Sequence, residues 1–182
     1  MSDRRKQGNL YLIGFMGCGK STVARGFRKL YDMPVTEMDR QIEEQEGMSV
    51  SEIFDKRGEA CFRSLETGLL ESLCGRSGVA VSCGGGVPLR PENVELMRKS
   101  GRIVWLKASP EIILERVSRD DRRPVLRGKK NLKDITALME ARRPAYEAAA
   151  DITIETDGKN VRQICREILR EAGQTEKEDR GS

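Results

Sequence analysis

The stretch Gly14-Phe15-Met16-Gly17-Cys18-Gly19-Lys20-Ser21 decides the fold of this chain of 182 residues, because it fits the pattern G-x-x-x-x-G-K-[ST]. Glycines in this pattern allow a tight turn whose N–H groups face phosphate oxygens, the lysine reaches the β- and γ-phosphates, and the final hydroxyl ligates Mg²⁺. An apolar, strand-like segment precedes the loop at 9–13, and a helix-like segment opens after it at 21–24. This order places an anionic phosphate at a helix N-terminus, so we predict a site for a nucleoside triphosphate.

Strand-like and helix-like segments alternate along the rest of the chain. Further strands are predicted at 34–38, 79–83, 102–106 and 151–155. Helices are predicted at 39–46, 91–99, 132–143 and 159–172, and a further helix begins at Pro110. A long helical region begins at the capping box formed by Ser49 and Glu52, and Gly58 is expected to break it into two helices. This alternation predicts an α/β fold in three layers, with a five-stranded parallel sheet between helices. We expect a single domain over 1–172 and a disordered tail over 173–182.

The composition limits the catalytic groups and metal sites that the chain can use. The chain contains no histidine, which excludes imidazole-based catalysis and metal sites, so acid–base work falls to carboxylates, lysine or tyrosine. Phosphoryl transfer suits such a residue set, because it depends on positioning and positive charge. The five cysteines form no C-x-x-C pair, which favours free thiols and a cytoplasmic location. We find no apolar segment long enough for a membrane span or a signal peptide.

The net charge of +4 is mild, and aromatic residues make up only 4% of the chain. Nucleic-acid binding would favour a broad basic face with interleaved aromatics, so we rank the binding of a small phosphate or carboxylate ligand above it. Basic residues cluster at 116–130 and at Arg142-Arg143. A charged loop at 120–131 is either a solvated surface or a lid that brings Arg123 to the transferred phosphate. Because Pro144 follows Arg143, we expect the helix to be interrupted there and at least one of the two arginines to turn inward.

Two carboxylates lie at the end of the second predicted strand. Glu37 and Asp39 are two residues apart and share one side if that strand is regular. Near a nucleotide site, such carboxylates hold Mg²⁺, directly or through water, or accept a hydroxyl proton from the phosphate acceptor. Asp39 also suits the N-cap of the helix that follows, and the two interpretations are compatible.

Two further features suggest a pocket for an anionic acceptor. Arg63 and Glu66 lie three apart on one helix face, either as a surface pair or as an arginine fork held by a buried carboxylate for a substrate carboxylate. Gly84-Gly85-Gly86 follows a buried strand, which is best explained by the close approach of a ligand. Ser82 could contact a water or Mg²⁺ there.

From about residue 10 to residue 169 the chain resembles the shikimate kinases. The segments that carry the resemblance are the phosphate loop with Thr22, Asp39, Phe62-Arg63-x-x-Glu66, Gly84-Gly85-Gly86, Arg123-Pro124-x-Leu126 and Arg142-x-Pro144-x-Tyr146. The resemblance implies the fold of P-loop kinases of the nucleoside-monophosphate-kinase type. It also implies transfer of a phosphate from ATP to shikimate, with helices at about 38–75 binding the acceptor.

The resemblance also implies roles for individual residues. Asp39 would hold shikimate hydroxyls and act as, or near, the general base. Arg63, Arg142 and the Gly84–Gly86 backbone would bind shikimate, with Glu66 orienting Arg63. The residues implied for ATP and Mg²⁺ are Gly17, Cys18, Gly19, Lys20, Ser21, Thr22, the lid residue Arg123, a base contact near Lys159, and Glu37 for the metal. The family usually has aspartate at position 37, so this role is carried over with one departure.

The sequence is also compatible with two alternative functions. Another small P-loop kinase could act on gluconate or on a nucleoside monophosphate, although a nucleotide acceptor would favour stacking aromatics. A non-catalytic nucleotide-binding regulator is the alternative from a different class. The guanine-reading segment N-K-x-D of a GTPase is absent from the sequence, and the acceptor-site residues are present. We expect a monomer whose partners are small molecules.

Overall fold

The computed structural model describes residues 8–118 and 131–173 of the chain. Within these ranges five strands alternate with eight α-helices. The strands are β1 (Asn9–Ile13), β2 (Val35–Glu37), β3 (Ala80–Ser82), β4 (Gly101–Lys107) and β5 (Ile152–Glu155). The helices are α1 (Lys20–Tyr31), α2 (Met38–Glu46), α3 (Val50–Arg57), α4 (Glu59–Leu73), α5 (Pro91–Ser100), α6 (Pro110–Val117), α7 (Leu132–Ala149) and α8 (Val161–Glu171), with a 3₁₀ turn at Val87–Leu89.

The five strands form one parallel sheet in the order β2-β3-β1-β4-β5. All five residues of β1 are buried, as expected for a central strand that is covered on both faces. From β1 the chain crosses to β2 on one side and later reaches β4 on the other side. The carboxyl end of β1 therefore lies where the strand order reverses, which is the place where such sheets bind ligands. The predicted three-layer α/β fold with a five-stranded parallel sheet is confirmed.

Local signals place several helix ends where they were predicted. Ser49 and Glu52 form a complete capping box at the start of α3. Gly58, with φ 83°, separates α3 from α4, and Gly47 ends α2 in the left-handed region. No helix within the described part of the chain has the length and apolar character needed to cross a membrane.

The predicted end of α7 at residue 143 is wrong, because the helix continues through Pro144 to Ala149. Proline removes one helical hydrogen bond, but Tyr146 and Ala149 are buried and hold the later turns against the core. Asn131 caps this helix by accepting a hydrogen bond from the Asp134 N–H at 2.9 Å. The rest of the predicted lid, including Arg123, lies outside the described residues, as does the predicted tail beyond Gly173.

Candidate active site

The phosphate-binding loop joins β1 to α1. Gly14, Gly17 and Gly19 have φ values of 145°, 80° and 101°, which side chains with a Cβ rarely adopt. Gly19 is the N-cap of α1, no side chain caps that helix end, and its first turn carries no acidic residue. The N-terminus of α1 therefore presents free N–H groups and the positive end of the helix dipole to an anion.

Two cations lie at this loop. Lys20 Nζ donates hydrogen bonds to the carbonyl oxygens of Gly14 at 2.8 Å and Phe15 at 3.0 Å, and the residue is only 9% exposed. Arg116 Nη1, on α6, donates to the Gly17 carbonyl oxygen at 2.8 Å. Arg116 belongs to no sequence motif, and its place in the basic cluster at 116–130 is the one feature of the sequence that could have indicated it.

A cavity of about 380 Å³ opens beside the loop. Its lining includes every residue predicted to bind ATP within the described chain, namely Gly17, Cys18, Gly19, Lys20, Ser21, Thr22 and Lys159. Arg116 and Thr156 also line it, and Lys159 Nζ is held by Glu167 Oε2 at 2.6 Å. The loop and the segment after β5 thus form two walls of one nucleotide-sized space.

A second cavity of about 470 Å³ adjoins the first. It brings together the predicted acceptor residues from four places in the fold: Asp39 from α2, Arg63 from α4, the glycines after β3, and Arg142 from α7. Phe54 and Phe62 add apolar surface. The full lining contains four arginines, four acidic residues and three glycines, so the space can bind an anion and form hydrogen bonds with hydroxyl groups.

Arg63 is held by carboxylates on two sides. Its Nη1 donates to Glu66 Oε2 at 2.8 Å, and its Nη2 donates to Glu59 Oε1 at 2.9 Å. The Glu66 side chain is completely buried, whereas that of Glu59 is 62% exposed. The Phe62 ring lies 5.5 Å from the guanidinium carbon and packs against it. The arginine is therefore a fixed fork rather than half of a surface pair.

Glu66 is an unusual acid. Burial raises the pKa of its carboxyl to about 7, the Arg63 charge opposes this shift, and the nearby Asp39 charge adds to it. Its Oε1 atom is buried and has no hydrogen-bond partner among the described residues. The site thus contains a carboxyl group that changes its charge near neutral pH.

The need for three glycines after β3 has a different cause from the one expected. A Cβ atom on Gly84 would overlap Glu66 Oε1, and one on Gly86 would overlap the Arg63 guanidinium. The close approach therefore comes from side chains that line the acceptor cavity, and not from a ligand alone. Gly85 lies between Arg142 and the phosphate loop, since its Cβ would stand 3.2 Å from Arg142 Nη1 and 3.6 Å from the Gly14 oxygen.

The two cavities have a common wall. Six residues line both of them: Ser21, Glu37, Asp39, Arg40, Gly84 and Gly85. The N-cap interpretation of Asp39 is wrong, because Glu37 is the N-cap of α2 and Asp39 lies within its first turn. β2 also ends at Glu37, so the helix start, and not strand alternation, turns both carboxylates towards the shared wall.

The shared wall also carries oxygen ligands of the kind that Mg²⁺ binds. Ser21 Oγ lies 3.2 Å from Ser82 Oγ, and Glu37 Oε1 lies 3.5 Å from Arg25 Nε. Within residues 8–118 and 131–173, no three His, Cys, Asp or Glu side chains form a metal cluster. Mg²⁺ commonly binds through one or two protein oxygens together with substrate phosphates and water, so this residue set fits the ion.

Comparisons with known proteins all point to one family. The family model described as shikimate kinase matches residues 16–172. A shikimate kinase of Persephonella marina is 42% identical over 161 residues, which cover 88% of this chain and 96% of that protein. The solved shikimate kinase of Acinetobacter baumannii in complex with shikimate has a TM-score of 0.85 at 34% identity, covering 90% of this chain and 92% of the other. That of Aquifex aeolicus has a TM-score of 0.77 at 36% identity, covering 90% and 95%.

Proposed function

The chain belongs to the shikimate kinase family, and we propose that its two adjoining cavities hold ATP and shikimate for direct transfer across the shared wall. Its activity is the ATP-dependent phosphorylation of the shikimate 3-hydroxyl, a step towards chorismate and the aromatic amino acids. Gluconate and nucleoside monophosphates, the alternative acceptors, are not favoured, and neither is a purely regulatory role.

One observation carries the proposed arrangement. Asp39 lies on the wall common to both cavities, the first of which is lined by the phosphate loop and the second by Arg63 and Arg142. A carboxylate at that place can accept the proton of a substrate hydroxyl while the hydroxyl oxygen faces the terminal phosphate of ATP. We therefore assign Asp39 as the group that orients the hydroxyl and acts as, or near, the general base.

In the nucleotide cavity, we propose that the N–H groups of Gly17, Cys18 and Gly19 and the start of α1, with Ser21 and Thr22, cradle the phosphates. Lys20 would exchange its two loop carbonyls for phosphate oxygens, a short movement for a flexible side chain. Arg116 and Lys159 line the same cavity and would flank the base and ribose. Arg123 stays a prediction for the phosphate-contacting arginine of the lid at 120–131.

In the acceptor cavity, the carboxylate of shikimate would bind to Arg63 and Arg142. The guanidinium fork of Arg63 is already oriented by Glu66, so little side-chain entropy is lost when the acid binds. The backbone of Gly84–Gly86 lines the same space and would donate N–H groups to the bound acid. Helices α2 to α4 supply half of the residues that line this cavity, which supports the assignment of 38–75 as the acceptor-binding part of a single domain over 1–172.

We propose that Ser21 and Glu37 hold Mg²⁺ together with the ATP phosphates. The ion would neutralise charge on the phosphates during transfer. Glu37 is one methylene longer than the aspartate usual in the family, and its contact with Arg25 keeps its carboxylate at the shared wall. We further propose a cytoplasmic monomer. The free thiols of all five cysteines support a reducing compartment.

The experiment that tests this function measures shikimate-dependent ADP release by the Asp39→Asn variant. We expect turnover to fall by a factor of about 10² to 10⁴, because general-base contributions have that size, while ATP affinity is retained. Asp55→Asn, at an exposed position of α3, is the matched control and should keep full turnover. Normal turnover in Asp39→Asn would exclude the proposed role of Asp39.

A further inference from the structure

Tyr146 makes a contact that reaches from α7 into the glycine segment. Its hydroxyl donates a hydrogen bond of 2.7 Å to the Gly85 carbonyl oxygen, 61 positions away in the sequence. The residue is 2% exposed, and its ring packs against Trp105 with 5.8 Å between the ring centres. Nothing assigned above gives this hydroxyl a function, yet it holds backbone that lines both cavities.

Arg142 and Tyr146 lie four residues apart on α7 and so share a helix face. The Arg142 guanidinium lies over the Phe15 ring at 5.6 Å and beside Gly85. Burial raises the pKa of Tyr146 to about 12, and the positive charge of Arg142 opposes this shift. The phenol therefore keeps its proton at neutral pH and remains a hydrogen-bond donor.

We propose that the Tyr146 hydroxyl is a positioning group that fixes the Gly85 peptide and the Arg142 side chain for the carboxylate of shikimate. In a trans peptide the C=O and the following N–H point in opposite directions. Holding the Gly85 oxygen therefore also fixes the direction of the Gly86 N–H in the acceptor cavity. The inference rests on the proposed function, because it concerns how the acid-binding half of that site is kept in shape.

A purely structural role for Tyr146 would give a different result, and the chain contains a matched control. Tyr11 is also a fully buried tyrosine with a bonded hydroxyl, since its oxygen lies 2.6 Å from Ser100 Oγ. Tyr11 lines neither cavity. Tyr146→Phe and Tyr11→Phe each remove one buried hydroxyl and keep the ring, so both should lose stability. Tyr11→Phe should lose at least as much, because the Tyr11 hydroxyl also accepts a hydrogen bond from Asn9 Nδ2 at 3.1 Å.

The test compares the full-length wild-type, Tyr146→Phe and Tyr11→Phe proteins by steady-state kinetics and by calorimetry with shikimate. For Tyr146→Phe we expect the KM and Kd for shikimate to rise by about three- to tenfold, the equivalent of one lost neutral hydrogen bond. The kcat and the KM for ATP should stay within about twofold, and Tyr11→Phe should leave all of these constants unchanged. An unchanged shikimate Kd in Tyr146→Phe, or an equal rise in Tyr11→Phe, would overturn the inference.

Arg142→Ala separates this inference from the proposed function. We expect the effect of Tyr146→Phe on the shikimate Kd to shrink when Arg142 is already alanine, because the two groups act together. If Tyr146→Phe raises the shikimate Kd by the same factor in the Arg142→Ala protein as in wild type, the proposed link to Arg142 is wrong. If Arg142→Ala alone leaves the shikimate Kd unchanged, the proposed acceptor site is wrong, and the inference falls with it.

Discussion

Glu66 Oε2 accepts a hydrogen bond from Arg63 Nη1 at 2.8 Å, although no part of the Glu66 side chain is exposed. Breaking a buried pair by removing one partner leaves the other charge uncompensated. The pair thus makes the acceptor cavity depend on the protonation state of a single carboxyl group, and this dependence can be measured.

Glu66 should make stability depend on pH in a defined direction. Burial raises the pKa of its carboxyl from 4.5 to about 7, so between these values the folded chain keeps a proton that the unfolded chain has lost. The contribution of Glu66 to the free energy of unfolding is thus fully present below pH 4.5 and is lost as the pH rises through 7. Urea unfolding of wild type and Glu66→Gln at several pH values measures this. Parallel curves for the two proteins would contradict the prediction, and Glu71→Gln, exposed on the same helix, is the control.

Glu59 should compete with the substrate for Arg63. Its carboxylate binds Nη2 of the guanidinium at 2.9 Å from the exposed side, while Glu66 and Phe62 hold the same group from within. Removing Glu59 therefore frees N–H donors without releasing the arginine. We expect Glu59→Gln to tighten shikimate binding by about two- to fivefold, since exposed ion pairs are weak. Calorimetry checks this, and weaker binding would show that Glu59 orients Arg63 instead.

Gly84→Ala should damage the acceptor cavity. The added Cβ would overlap Glu66 Oε1 and stand 3.2 Å from Asp39 Oδ1, so both carboxylates must move. We expect a loss of about 1 to 3 kcal/mol in the free energy of unfolding, together with weaker shikimate binding. Gly68→Ala, in the interior of α4 with no atom within 4 Å of the new Cβ, should instead stabilise the chain by about 0.5 to 1 kcal/mol. Equal thermal stability of the two variants would refute this explanation.

Lys20→Ala should impair the use of ATP without changing the binding of shikimate. The lysine lines the nucleotide cavity but not the acceptor cavity. We expect kcat/KM for ATP to fall by a factor of about 10² to 10³, the usual cost of losing one preorganised donor at a transferred group. The shikimate Kd should not change. Lys29→Ala, exposed in the last turn of the same helix, should behave like wild type, and a large change in shikimate affinity in Lys20→Ala would argue against separate cavities.

Features that depend on neighbouring residues could be predicted from the sequence. An apolar run gives the bounds of β1, and the residue types of Ser49 and Glu52 indicate the capping box. The break at Gly58 follows because glycine readily adopts a positive φ. The pairing of Arg63 with Glu66 follows from their spacing on one helix face. Residues that share a pattern within one turn or one strand can be placed without knowing the rest of the fold.

Features that depend on contacts between distant segments could not be predicted. Helix α7 passes through Pro144 because buried residues beyond it pack against the core, which overrides the local preference. The contacts of Arg116 with Gly17 and of Tyr146 with Gly85 span 99 and 61 positions, so no local pattern shows them. The sequence showed that three glycines were needed, but only the packing of Glu66 and Arg63 against them explains why.

The wall that the two cavities share has a consequence for inhibitor design. Asp39, Gly84 and Gly85 line both spaces, so the positions proposed for the terminal phosphate and the cyclic acid adjoin the same residues. We expect a single molecule that links an adenosine polyphosphate to a shikimate-like ring to contact these shared residues from both cavities. We expect mutations of the shared residues that weaken binding of such a bisubstrate compound to weaken binding of both natural substrates as well.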